Sequence, residues 1–132
     1  MTDARGTPLV VRTTPANVHD TVPAITLLDA IPPIQGRRGH PRRRPGIFQG
    51  DRAYGSAENI AETRKRGVEP LLARPRTDHG SGLGRRRYVV ERTLAWFGQC
   101  RRIKLCYEKC GEHFQAFHDL AASLICTKKL SA

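Results

Sequence analysis

Apolar residues along this chain come in short runs and helical stripes. "PLVVRTT", Pro8 to Thr14, follows the turn signal "DARG" and is rich in Val and Thr, which predicts a strand. In "TVPAITLLDAI", Val22, Ile25 and Leu27 or Leu28 recur at helical spacing. Asp20 stands where an N-cap belongs, and Pro23 falls in the first turn, where a missing N–H does little harm. "GIFQGDRAYG" reads as a short apolar strand closed by Gly50 and Asp51. Ser56 is placed to cap the helix "AENIAETRKR", and Gly67 to end it in a left-handed conformation. "VEPLLA", residues 68 to 73, reads as another strand. Strands alternating with helices predict an α/β layer fold, whose chemistry sits at the carboxyl ends of strands, where Asp51 falls.

The stretch "GRRRYVVERTLAWFGQCRRIK", residues 84 to 104, is helical in pattern. At about 100° per residue, Val90, Leu94 and Phe97 share one side, and Val89, Trp96, Cys100 and Ile103 widen the apolar arc. An arc that wide predicts packing against a sheet. The remaining stripe holds Arg87, Glu91, Ala95, Gly98 and Arg102. Gly98 weakens a helix interior by roughly 1 kcal/mol relative to alanine, and close approach of a ligand or another backbone would account for it. Glu91 has two readings: a surface pair with Arg87 contributing a few tenths of a kcal/mol, or a ligand for something positive. In the last helix Phe114, Phe117, Leu120, Ala121, Leu124 and Ile125 share a face, a core stripe that could also pair with another subunit.

The 132 residues suggest one domain, 1–132, and a formal charge of +11 narrows the partners to a polyanion, nucleic acid first. The positive charge concentrates in two Pro- and Gly-rich basic loops, 32–45 with five arginines and 74–87, "RPRTDHGSGLGRRR". The phosphate contacts expected there come from Arg37, Arg38, Arg42, Arg43, Arg44, Arg85, Arg86 and Arg87, with Arg92 beside them. The longest apolar run is far short of a bilayer span and the start lacks a signal peptide's hydrophobic core. The chain is therefore expected in the cytoplasm, associated with the nucleoid and not with a membrane, with Cys100, Cys106, Cys110 and Cys126 reduced.

Against this cationic background, a carboxylate at a strand end, Asp51, and another on a later helix, Glu91, can converge on a hard cation such as magnesium. Such sites activate water or a 3′ hydroxyl and stabilise the leaving oxygen of a phosphodiester. Other clusters are weaker. Cys106, Cys110, His113 and His118 have finger-like spacing within each pair, but two residues separate the pairs where a finger needs about twelve. His19 beside Asp20 is explained by a turn closing onto a helix cap.

"FQGDRAYGSAENIAETRKRGVEPLLARP", "GSGLGRRRYVVERTLAWFGQCRRIKLCYE" and "FQAFHDLAASLIC" resemble the carboxyl-terminal part of bacterial insertion-sequence transposases of the DDE type, in the group named after insertion sequence five. The most specific matches are Asp, two residues, Tyr at Asp51 and Tyr54, and Arg, three residues, Glu at Arg87 and Glu91. The resemblance implies a ribonuclease H-like fold and a triad of two aspartates and a glutamate that binds magnesium to cut and join DNA. Asp51 would be the second aspartate, Glu91 the glutamate, and Arg87 an arginine near the DNA. Where the related signature has a tyrosine and a lysine, this chain has Gly84 and Gly98. The first aspartate lies, in the family, upstream of the region that begins here, and Asp3 sits in what resembles a turn between later strands. The expectation is an incomplete ribonuclease H-like domain lacking its early strand, a transposase fragment inactive alone. Its partners would be DNA and, in the intact form, a homo-oligomer or the full-length enzyme. A noncatalytic DNA-binding or regulatory remnant is the alternative.

Overall fold

The computed structural model describes residues 1–18, 24–36, 38–72 and 84–131; the side chains of Arg52, Arg85, Arg86 and Arg87 lie outside the description. The chain divides into two compact units, Ala16–Ser81, and Met1–Pro15 with Gly82–Ala132.

In the first of these, helix α1 (Ala24–Asp29) precedes strand β1 (Ile47–Gly50), helix α2 (Ala57–Lys65) and strand β2 (Glu69–Leu72). The strands are parallel, with Ile47 opposite Glu69, Phe48 opposite Pro70, Gln49 opposite Leu71 and Gly50 opposite Leu72. A parallel pair needs a crossover, and α2 supplies it. Both of its ends follow local rules. The Ser56 hydroxyl accepts from the Asn59 N–H at 3.1 Å. Gly67, at φ +71°, takes the left-handed turn after the Arg66 C-cap. Pro70 has no N–H to give, which a strand of a two-stranded sheet tolerates. Phe48, Val68 and Leu72 are buried, as are Ala24, Leu28 and Ile31 around α1.

Arg66 staples α1 to α2. Its Nε and Nη2 donate to the two Asp29 carboxylate oxygens at 2.7 and 2.8 Å, while Nη1 donates to the Glu62 carbonyl at 2.9 Å and carboxylate at 2.8 Å. The hydrogen bond from Arg66 holds the Asp29 carboxyl below its usual range. Lys65 first and Arg66 second do the same for Glu62. The segment 32–45 contains no helix or strand among its described residues, only a bridge in which Ile34 and Arg42 exchange N–H···O bonds of 2.9 Å. Asp20 and Pro23 lie outside the described residues.

The second unit is helical: α3 (Gly84–Gly98), α4 (Arg101–Leu105) and α5 (Gly111–Leu130). Phe97, Ala121 and Ile125 form its buried cluster, with Val11, Trp96, Cys100, Ile103 and Ala122 against it. His118 stacks on Phe97 with centroids 5.9 Å apart and meets Phe114 edge-on at 4.6 Å.

Several expectations change here. Pro8 to Thr14 is not a strand: Thr2 and Pro8 form one antiparallel bridge, and the backbone beyond is satisfied otherwise. Gln115 of α5 takes the place of a neighbouring strand, its Oε1 accepting from the Thr13 N–H at 2.7 Å and its Nε2 donating to the Val11 carbonyl at 3.0 Å. Residues 84 to 87 belong to the first turn of α3 rather than to a loop, since arginines favour helix over irregular backbone. The helix expected to run on to 104 breaks after Gly98, where Gln99 and Cys100 tighten onto the Trp96 and Phe97 carbonyls. Gly98 is therefore a helix end, and beyond its chain neighbours and the backbone of its own helix no described atom comes within 4 Å of where its Cβ would be.

The buried face of α3 is also not the one read from hydropathy. Val90 and Leu94 are exposed, Thr93 and Phe97 are buried, and the contacts of α3 within its unit are with the N-terminal segment, α4 and α5. Thr93 donates its hydroxyl to the Gly6 carbonyl at 2.9 Å. Gly6 has φ +79°, and a Cβ there would fall 2.8 Å from that hydroxyl oxygen and 3.1 Å from Val89 Cγ1. In α5, Ala121 and Ile125 are buried, but Leu120 and Leu124 stand out from the expected core stripe.

Gly6→Ala should destabilise the protein by about 1–3 kcal/mol, the combined effect of a left-handed alanine and a clash with Thr93. Urea denaturation checks this, and an unchanged midpoint would show that the segment does not need its glycine. The depressed Asp29 and Glu62 contribute stability present above their ordinary titration range and lost as pH falls through the lower folded values. The melting temperature should therefore drop on acidification below the ordinary carboxylate range, and Asp29→Asn should make that drop smaller; an identical pH profile in the variant would remove the staple's role.

Candidate functional site

Asp51 is set by the end of β1. Gly50 lies so close to its neighbours that a Cβ would come 2.9 Å from Leu72 Cδ2 and 3.1 Å from Tyr54 Cβ. The next residue, Asp51, is exposed, and its Oδ1 accepts from the Ala53 N–H at 2.9 Å while its carbonyl accepts from the Tyr54 N–H at 3.2 Å. These bonds close the 3₁₀ turn Arg52–Tyr54. Asn59 Nδ2 then donates to the Tyr54 carbonyl at 3.2 Å, tying the turn to α2. A carboxylate has about four acceptor sites, and this turn uses one.

Glu91 belongs to the other unit, on the exposed side of α3 between the exposed Val90 and the half-buried Arg92. Arg87, four residues earlier, is in the helix backbone. Arg92 is engaged inside its own unit: Nη1 donates to the Tyr88 hydroxyl at 2.9 Å, Nη2 to the Arg5 carbonyl at 3.1 Å, and the guanidinium lies 5.3 and 5.2 Å from the Tyr88 and Trp96 ring centroids. Lys129 Nζ reaches the same Arg5 carbonyl and faces Trp96 at 5.7 Å. Arg38, Arg42, Arg43 and Arg44 are exposed, with Arg44 Nη1 donating to the Arg66 carbonyl at 2.8 Å. Arg37 lies outside the described residues.

Asp3 is used by its turn, its Oδ1 accepting from the Arg5 and Thr7 N–H groups at 2.8 and 2.7 Å. Among the described residues no three or more His, Cys, Asp or Glu side chains gather as a metal site. Cys106 and Cys110 flank the α4–α5 connection and are exposed, whereas His118 pairs its Nδ1 with the Phe114 carbonyl at 2.9 Å and serves packing. His19 and Asp20 lie outside the described residues. Sequence reasoning passed over Arg101, Arg102 and Tyr107, which line an open pocket of about 470 Å³ beside the same connection. The signal was there: two adjacent arginines and an aromatic across a helix break.

These features describe a strongly basic, mixed α/β protein with a small parallel sheet, a carboxylate just past a strand and another on a helix. The chain belongs to the family described as the transposase DDE domain, whose sequence pattern matches residues 1–125. Over 130 residues it is 48% identical to a Burkholderia cepacia protein titled "Putative transposase for insertion sequence element IS402", covering 98% of this chain and 62% of that protein. The chain thus spans under two thirds of the length of this relative, and the resemblance to insertion-sequence transposases is borne out. No solved structure matches. Among the described residues no helix is long and apolar enough to cross a membrane.

Proposed function

We propose that these residues are the carboxyl-terminal part of the catalytic region of an insertion-sequence transposase, which in its complete form cleaves DNA and transfers the strand. The observation that carries this reading is Asp51 at the carboxyl end of a parallel strand, with the Asp, two residues, Tyr spacing intact, in a chain that belongs to the DDE family. The parallel β1–α2–β2 unit is compatible with a ribonuclease H-like sheet, of which this would be the later portion.

In this reading Asp51 and Glu91 each supply hard oxygen donors, the donor chemistry a magnesium ion takes. Both are exposed carboxylates, and the Asp51 turn leaves it acceptor capacity, so the donor type fits. When bound, the metal supplies an activated water or 3′ hydroxyl and charge stabilisation at the leaving oxygen. The remaining aspartate comes from polypeptide outside these residues. Support for that assignment is the greater length of the relative and the commitment of Asp3 to its turn. Arg37, Arg38, Arg42, Arg43, Arg44, Arg85, Arg86 and Arg87 hold the phosphate backbone by charge, and Arg92, anchored by Tyr88 and Arg5, contributes as a positioning residue.

A second reading for the chain by itself is a basic DNA-binding or regulatory protein without cleavage activity, which the exposed Arg38, Arg42, Arg43 and Arg44 favour. Both readings predict salt-sensitive DNA retention, and only the first predicts catalysis in the complete polypeptide.

In a complete transposase carrying this sequence, Asp51→Asn and Glu91→Gln should each lower magnesium-dependent nicking of element-end DNA by about a hundredfold or more, the scale of removing one electrostatic stabiliser of a transition state. Asp51→Asn should leave the melting temperature unchanged, because a carboxamide oxygen still accepts from Ala53. Nicking that survives both substitutions would reject the two roles.

A further inference from the structure

The corner between α4 and α5 carries a basic aromatic pocket outside the assigned residues. Four cations, Arg101, Arg102, Lys104 and Lys109, occur there against two acids, Glu108 and, in the first turn of α5, Glu112. Glu108 is committed: its Oε1 accepts from Arg102 Nη1 at 2.6 Å, and the Arg102 guanidinium also lies 5.2 Å from the Phe117 ring centroid. Arg102 is thereby held in place. Arg101 instead stands 6.0 Å from the Tyr107 ring centroid, and Tyr107 is 55% exposed. Arg101, Arg102 and Tyr107 line the open pocket of about 470 Å³, a size that suits a small-molecule-sized group such as a nucleotide.

We propose that this corner is a binding site for single-stranded DNA, in which an unstacked base lies on the Tyr107 ring and Arg101 and Arg102 hold the adjoining phosphates. The chemistry separates this ligand from duplex DNA. Duplex offers phosphates but keeps its bases stacked on each other, so an exposed aromatic ring gains nothing from it. A single strand offers both phosphate charge and a free π-face. The surplus of cations selects a polyanion, and the exposed ring selects one with an available base. This deepens the transposase reading and rests on it, since a strand that is cut and transferred has to separate at its end from its complement.

The test uses the 132-residue chain, a fluorescein-labelled oligothymidylate and a blunt duplex of equal length, with anisotropy measured over a salt series. Tyr107→Ala should weaken oligothymidylate binding about tenfold, with no change in salt slope and little change for duplex, and Tyr107→Phe should retain binding. Arg101→Ala should shallow the slope for the single strand by about 0.7. A single strand containing 2-aminopurine should show altered fluorescence on binding the unmodified chain, which reads stacking without any variant. If the chain binds both DNAs but Tyr107→Ala binds like the unmodified chain, or weakens duplex equally, the single-strand site falls and the DNA reading stands. If the chain retains neither DNA at low salt, both fall.

Discussion

The Gly6 carbonyl and the Thr93 hydroxyl, 87 residues apart in sequence and 2.9 Å apart in space, fix how α3 is rotated within its unit. Thr93 is almost wholly buried, and Phe97, one turn on, is buried with it. At about 100° per residue, Glu91 lies some 200° around the helix from Thr93, so burying Thr93 turns Glu91 outward. The contact needs a residue without a Cβ at position 6, because the approach is too close for one. Just before it, the Arg5 carbonyl receives donors from Arg92 and Lys129, so the same short segment registers α3 against α5. The exposure of the glutamate is thus a consequence of a backbone approach far away in sequence.

This explains why hydropathy misjudged the face of α3. A threonine is counted as neutral, and its preference for the interior depends on whether its hydroxyl finds an acceptor there. The Gly6 carbonyl at 2.9 Å and the Val89 carbonyl one turn back at 3.1 Å are both acceptors for it, so Thr93 is buried while Val90 and Leu94 are exposed. The same reasoning applies to residues 8 to 14. Their composition suits a strand, but the backbone of Met1 reaches as far as Leu9 and Val10, and from Val11 to Thr13 the partner is the Gln115 side chain. Rules that act within a few residues were legible. Ser56 capping α2, Gly67 closing it, and the apolar runs of β1 and β2 are all determined locally. Partners about 100 residues away are not written into any local pattern.

Electrostatics adds a second constraint. With so large an excess of cations, the carboxylates available for internal work are few, and several are spent on holding arginines and turns: Asp29 and Glu62 on Arg66, Glu108 on Arg102, and Asp3 on the backbone of its own turn. The ion pairs among these fix two arginines, Arg66 and Arg102, in position. Arginines in 38–44 are exposed on an irregular segment, where they add to the positive field around the protein, and Arg44 also holds the Arg66 carbonyl. Surface pairs contribute little to stability, so the arrangement matters more for where positive charge is left than for holding the fold together.

The spacing between Asp51 and Tyr54 has a structural cause that operates beside any chemistry. Three residues is the repeat of a 3₁₀ turn, and here the Tyr54 N–H closes it onto the Asp51 carbonyl. The Tyr54 side chain then covers Gly50, where a Cβ would crowd Tyr54 Cβ at 3.1 Å and displace Leu72 Cδ2 of the paired strand. Glycine before the aspartate permits the packing, and tyrosine after it completes the packing. The carboxylate of the aspartate in between accepts from the turn's own Ala53 N–H. A carboxylate that accepts one backbone N–H keeps most of its acceptor capacity, whereas an arginine fork, like that of Arg66 on Asp29, occupies both oxygens at once. The motif therefore delivers a carboxylate at a strand's end with acceptor capacity to spare, and that is the physical content of the pattern before any metal is considered.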